Sequence, residues 1–160
     1  KEVPEFIQAN FPVSDRPEDT YIAGLSMGSM GSLLHSLTNP ENFCAVGSFS
    51  GPLIRMDLDR SKEYTIEELK ENVSPEVVEL IKKGKAEGKK FPKYYISTGL
   101  KDGPDRAKAF AEYLSENGIE VTTNFEKNYG HEWRCWEENI EEFLDWIPRT
   151  DAYAGSMRQI

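Results

Sequence analysis

The stretch Tyr21-Ile22-Ala23-Gly24-Leu25-Ser26-Met27-Gly28-Ser29-Met30-Gly31 constrains this chain more than any other. It reads as a short apolar strand, a sharp turn and the start of a helix. Gly24-Leu25-Ser26-Met27-Gly28 is a Gly-x-Ser-x-Gly pattern, the nucleophile elbow, in which a strained serine exposes its hydroxyl at the end of a sheet. Side chains at 24 or 28 are expected to crowd the approach of strand and helix. The Met27 backbone N–H would point to where an oxyanion forms, at a helix N-terminus that favours negative charge. A Gly-rich turn in any strand–helix unit can match the pentapeptide, so the flanks decide. Leu33, Leu34 and Leu37 follow at helical spacing, and Asn39-Pro40 is a stop.

The rest of the chain repeats the alternation of strand and helix. Residues 1–11 read as the tail of a helix with Phe6, Ile7 and Phe11 on its apolar side. Further strands are expected at 44–49, 93–98 and 119–125. A helix should open at Pro104 and close at Asn117-Gly118, Pro being favourable in the first turn. A last helix, 132–146, carries Trp133, Trp136, Ile140, Phe143, Leu144 and Ile147 on one stripe. The segment 53–92 is rich in Lys and Glu, with short helices expected at 65–71, behind a Thr65/Glu68 capping box, and at 75–83. Gly84 and Gly88 should then loosen it. Such an excursion is expected outside the core, as a lid or a surface crossover. The alternation implies an α/β fold, a parallel sheet with helices on both faces. Residues 1–150 form the domain, and 151–160 a tail without pattern.

A chain of 160 residues accommodates one domain with a sizeable core. The net charge of −9 argues against nucleic acid or an anionic membrane as partner, since phosphate binding needs clustered cations. No apolar run is long enough to span a bilayer. Cys44 and Cys135 form neither a disulfide framework nor a metal-ligand pair. They read as buried small apolar residues, compatible with a reducing cytoplasm, which is the expected location. Because the first residue is Lys1 and not Met, the sequence reads as a processed chain or a fragment.

A serine hydroxyl is a weak nucleophile until a base takes its proton. Only two histidines are present. His35 lies on the elbow helix, about 13 Å beyond Ser26 at 1.5 Å per residue, and cannot reach back. His131 follows the fourth strand, and in a parallel sheet that loop lies at the same carboxyl edge as the elbow. Position 135 is Cys, so no His-Glu-x-x-His zinc motif begins at His131. The acid should occupy another loop at that edge. Asp102, after the third strand, is preferred to Asp105, which sits in a first helical turn where Asp is common for dipole reasons. Asp57 and Asp59 are remoter alternatives. Ser26, Asp102 and His131 run in the Ser…Asp…His order of the α/β-hydrolases.

The chain resembles the esterase D / S-formylglutathione hydrolase-like and tributyrin or feruloyl esterase branch of that superfamily. The likeness rests on Gly-Leu-Ser-Met-Gly at 24–28, Ser-Gly at 50–51, Gly-Leu-Lys-Asp at 99–102 and Gly-His-Glu-Trp-Arg-Cys-Trp at 130–136. In such enzymes the elbow usually continues Gly-Gly; here it continues Ser29-Met30-Gly31. The resemblance implies Ser26 as nucleophile, His131 as base and Asp102 as orienting acid, with no metal or organic cofactor. It also implies the carboxyl-terminal half of the fold, since an eight-stranded sheet at about 30 residues per unit needs roughly 240 residues. The strand at 21–25 would then carry a raw edge. A second polypeptide bearing the amino-terminal half is therefore expected as partner.

The expected function is a serine carboxylic-ester hydrolase working through an acyl-enzyme on a small-molecule ester. The rival readings are acyl transfer or peptide hydrolysis on the same groups, and a non-catalytic hydrolase-like binding subunit. Trp133 is the candidate substrate contact, although Trp133 and Trp136 at helical spacing also suit a core.

Overall fold

The computed structural model describes residues 2–59 and 61–148. The tail expected at 151–160 lies outside the described residues. The chain runs α1 (Glu2–Asn10), β1 (Tyr21–Leu25), α2 (Met27–Thr38), β2 (Ala45–Phe49), α3 (Ile66–Lys70), α4 (Pro75–Ala86), β3 (Lys93–Ser97), α5 (Pro104–Glu116), β4 (Val121–Asn124) and α6 (Trp133–Trp146). The four strands make one parallel sheet in the order β1-β2-β3-β4. Their carboxyl ends are level. Leu25 pairs with Phe49, Phe49 with Ser97, and Ser97 with Asn124. Three amides, one at the end of each of β1, β2 and β3, extend this ladder into the loops, Ser26 N–H to Phe49 O, Ser50 N–H to Ser97 O and Thr98 N–H to Asn124 O. Residues 26, 50 and 98 therefore stand side by side along one edge.

Alternation along β2 and β3 sends side chains to two layers. Val46, Tyr94 and Ile96 join the core under α2, α3, α4 and α5. Ala45, Phe49 and Tyr95 face α6, where Phe49, Tyr95, Phe143 and Trp146 pack as edge-on and tilted rings. Helices thus cover both faces, as the alternation implies. The phenol of Tyr94 is pushed up by burial, its hydroxyl meeting Ser36 Oγ at 3.1 Å.

The charged excursion differs from expectation. Leu53, Ile54, Leu69, Val73, Val77 and Ile81 are all buried in the larger core. Ile54 and Val73 form an antiparallel bridge, flanked by Arg55 N–H to Asn72 O at 2.9 Å and Ser74 N–H to Leu53 O at 3.0 Å. Its Lys and Glu residues take the outer faces of helices whose inner faces are apolar. The Thr65/Glu68 capping box is present. On α3, Lys70 pairs with Glu67 at 3.0 Å and with Glu116 of α5 at 2.5 Å, which raises its ammonium to about 12. Gly84 does not loosen the chain. It lies buried within α4, where an added Cβ would come 2.6 Å from the Phe91 ring.

Three other expectations change. None of the residues of α1 is buried, and Phe6 and Phe11 lie exposed on the surface. On α6 the buried residues are Cys135, Trp136, Asn139 and Phe143, whereas Trp133, Ile140 and Leu144 are exposed. Cys44 is only half-buried, and both cysteines are free thiols. The edge expected at 21–25 is present: among the described residues β1 has a neighbour on one side only.

Candidate active site

Ser26 joins β1 to α2 with φ 53° and ψ −119°, a region that strains any residue with a Cβ by about 1–3 kcal/mol. The strain is held by neighbours on both sides. Its N–H donates to Phe49 O at 2.8 Å, and its carbonyl accepts from Ser29 N–H at 3.1 Å. Gly24 makes the turn possible, because a Cβ there would lie 2.2 Å from the Gly28 carbonyl oxygen. Gly28 has no such role, since an added Cβ there meets nothing within 4 Å. Gly51 does, because a Cβ there would lie 2.3 Å from the Ser26 carbonyl oxygen. Met27 is the first residue of α2, so its N–H has no intrahelical acceptor and sits at the positive end of the helix.

His131 is carried by the loop after β4, and Asp102 by the loop after β3. Two backbone bonds stitch these loops together, Leu100 N–H to Lys127 O at 2.8 Å and Lys101 N–H to Tyr129 O at 3.0 Å. The approach is close enough that a Cβ on Gly99 would lie 2.1 Å from the Tyr129 carbonyl oxygen. The His131 loop is also tied to α6, through Tyr129 Oη donating to Glu138 at 2.8 Å and Lys127 Nζ donating to Asn139 at 3.1 Å.

These supports bring three side chains into series. His131 Nε2 lies 2.9 Å from Ser26 Oγ, and His131 Nδ1 lies 3.1 and 3.0 Å from the two oxygens of Asp102. An ionised carboxylate can only accept, so Nδ1 carries the proton and Nε2 is left to accept from the serine hydroxyl. The alternatives to Asp102 are occupied elsewhere. Asp105 pairs with Lys108 at 3.3 Å, Asp57 with Arg55, and Asp59 accepts from Ser61. His35 is exposed on α2. Such a series can deprotonate the hydroxyl for attack on a carbonyl and return the proton to a leaving group.

The sequence reading missed the polar groups behind Asp102. Thr98 Oγ1 donates to Asp102 Oδ2 at 3.2 Å, and Trp136 Nε1 donates to Ser50 Oγ at 3.1 Å. Only the Ser-Gly at 50–51 hinted at them. The Trp136 ring stands edge to face on His131 with centroids 4.8 Å apart, and Trp133 stands likewise on Trp136 at 5.3 Å. Trp133 is 69% exposed. Among the described residues no group of three or more His, Cys, Asp or Glu side chains could hold a metal. No described helix is long and apolar enough to cross a membrane.

Glu142 anchors α6 beneath this loop. Its carboxylate accepts from Tyr95 Oη at 2.8 Å and Asn124 Nδ2 at 2.7 Å and pairs with Lys127 at 2.8 Å. Burial opposes its charge, but these partners outweigh burial and hold it below its ordinary 4.5. A depressed carboxylate stabilises the fold above its unfolded-state value and ceases to as pH falls through the folded one. Glu142→Gln should therefore lose about 1 kcal/mol at pH 7, the partial exposure of the group screening the ion pair. Parallel thermal melts of variant and parent should converge as pH drops below 4.5.

Comparison with known proteins agrees with this architecture. An acetyl esterase of Caldicellulosiruptor saccharolyticus is 27% identical over 93% of this chain and 62% of its own length. Among solved structures, an S-formylglutathione hydrolase of Staphylococcus aureus superposes with a TM-score of 0.73 at 25% identity, over 91% of this chain and 57% of that one. A fluorophosphonate-binding serine hydrolase of the same organism gives 0.72 at 27% identity, over 91% and 60%. A ferulic acid esterase shares the fold at 0.69 and 21% identity. The chain thus spans about three fifths of the length of these relatives. The sequence model of the Esterase family matches residues 1–147, and with an α/β-hydrolase-like sheet carrying Ser26 at its carboxyl edge, this chain belongs to that family.

Proposed function

We propose that this protein hydrolyses carboxylic esters of small molecules through an acyl-enzyme on Ser26, with His131 as base and Asp102 as orienting acid. The observation that carries the reading is the unbroken series Ser26 Oγ, His131 Nε2, His131 Nδ1 and Asp102, with contacts of 2.9 and 3.0 Å. Ser26 Oγ bonds to the ester carbonyl carbon as its proton passes to His131 Nε2. The Met27 N–H donates to the resulting oxyanion. Collapse breaks the bond to the alkoxide, which takes the proton from His131 and leaves as alcohol. Water then attacks the acyl group, giving its proton to His131. The carboxylic acid departs and Ser26 recovers its hydrogen. Asp102 keeps the imidazole in the productive tautomer and stabilises the imidazolium. The half-exposed His131 side chain leaves water access to the acyl group, which favours hydrolysis over transfer to another acceptor. Trp133, exposed beside Trp136, is the proposed substrate contact. A fluorophosphonate probe should attach to Ser26 in the intact protein, and Ser26→Ala should abolish the label. An unlabelled, folded protein at high probe concentration would defeat the reading.

We further propose that the open edge of β1 takes more strands of the same fold, supplied by a partner polypeptide or by the same one. The reading is supported by the exposed apolar residues of α1 and by relatives longer than this chain. Adding a polypeptide bearing those strands should raise turnover of p-nitrophenyl acetate by residues 1–160, and no change on addition would count against it. The two free thiols fit the reducing cytoplasm proposed as its location.

A further inference from the structure

The three level loop starts, 26, 50 and 98, hold more than the nucleophile. Trp136 Nε1 donates to Ser50 Oγ at 3.1 Å, Ser50 Oγ lies 3.4 Å from Thr98 Oγ1, and Thr98 Oγ1 lies 3.2 Å from Asp102 Oδ2. The direction of every bond is forced from the two ends. An indole N–H can only donate, so Ser50 accepts there. A carboxylate can only accept, so Thr98 directs its proton to Asp102, whose Oδ2 at 3.2 Å is nearer than its backbone carbonyl at 3.5 Å. The contact between the hydroxyls then runs from Ser50 to Thr98. Thr98 is 2% exposed and Trp136 8% exposed, so water is poorly placed to substitute for either. Ser50 has φ 58°, a conformation glycine adopts without strain. A serine there is explained by use of its hydroxyl. Trp136 also acts at the other end, since its ring stands against that of His131 at an interplanar angle of 87°.

We propose that Trp136, Ser50 and Thr98 are positioning residues for the ester-hydrolase reaction. Their one-way relay fixes the rotamer of Asp102, while the indole ring limits the swing of His131. The inference rests on the triad reading above, and closes a loop around it: Trp136 to Ser50 to Thr98 to Asp102 to His131 and back to Trp136. Bonds polarised in one sense strengthen one another, and each supports the charged acceptor at the end.

The test separates this inference from the activity itself. In ¹⁵N-labelled protein carrying Ser26→Ala, the Asp102-bound His131 Nδ1–H should give a slowly exchanging low-field NMR resonance that needs no turnover to observe. Adding Thr98→Val should broaden or abolish it, and Thr98→Ser should keep it. With Ser26 intact, Thr98→Val should lower kcat for p-nitrophenyl acetate about tenfold with KM nearly unchanged, and Thr98→Ser should restore most of it. Trp136→Phe, which keeps an aromatic ring but removes the N–H, should shift the resonance and lower kcat to a smaller extent. If Thr98→Val does not fold, Ser50→Ala is read in the same way. A resonance and kcat equal to the parent's in these variants, even with a lowered Tm, would reduce the relay to packing and overturn the proposal. Failure of Ser26 to take a fluorophosphonate would instead strike the hydrolase reading, leaving the resonance to be judged alone.

Discussion

Asp102→Asn should lower kcat about 10⁴-fold while leaving the fold intact. The carboxylate accepts the His131 Nδ1 proton across 3.1 and 3.0 Å. An amide in its place can present an N–H to the ring. The imidazole then moves its proton to Nε2, the atom 2.9 Å from Ser26 Oγ, and cannot accept from the hydroxyl. The substitution changes no volume and removes one charge from a group only 15% exposed, so circular dichroism should match the parent. Asp105→Asn is the control. Asp105 is engaged with Lys108 on the surface of α5, and its loss should leave kcat within about twofold, as surface changes do. Hydrolysis of p-nitrophenyl acetate by the two variants, each in the protein form with the higher turnover, decides between them. Equal rates would remove Asp102 from the mechanism.

Gly24→Ala should destabilise the protein by about 3 kcal/mol or more, and Gly28→Ala should not destabilise it. At 24 the added carbon would sit 2.2 Å from the Gly28 oxygen and 2.3 Å from its carbonyl carbon. Both are backbone atoms at the start of α2, so relief requires strand and helix to move apart. Ser26 holds its strained backbone through the bond to Phe49 O and the bonds its carbonyl accepts at the start of α2, which this shift would disturb. Loss of activity should therefore accompany loss of stability. At 28 nothing lies within 4 Å, and alanine is the better helix former, so a gain of up to about 1 kcal/mol is expected. Differential scanning calorimetry should put the Gly24→Ala midpoint roughly 10 °C below the parent and the Gly28→Ala midpoint at or above it. The pattern Gly-x-Ser-x-Gly treats the two glycines as equivalent; the packing does not.

Local signals were legible where one short stretch decided its own conformation. The limits of β1 follow from its apolar run and the elbow turn that begins at Ser26, and α5 opens at Pro104 and closes before Gly118. The charged excursion was misread because composition averages over faces. Lys and Glu dominate 53–92, yet Leu69, Val73, Val77 and Ile81 recur at four-residue steps and fill the core. The stripe on α6 is only partly covered, for the converse reason. Periodicity says which residues share a face, not how much of that face is covered, and Trp133, Ile140 and Leu144 remain exposed.

The candidate site divides the same way. Residue type and loop position marked Ser26, Asp102 and His131, because an activated serine needs a base and an acid and a parallel sheet gathers its loops at one edge. Thr98, Ser50 and the indole of Trp136 were invisible as a group, because what relates them is the level register of β1, β2 and β3. The sequence by itself determined the elements, the elbow and the choice of three candidate side chains, all marked by residue type and a few neighbouring residues. Only the tertiary structure decided which face each helix covers, how closely Gly99 passes Tyr129, and which hydroxyls stand behind Asp102. Those depend on strand pairing between residues tens of positions apart, for which no local preference exists.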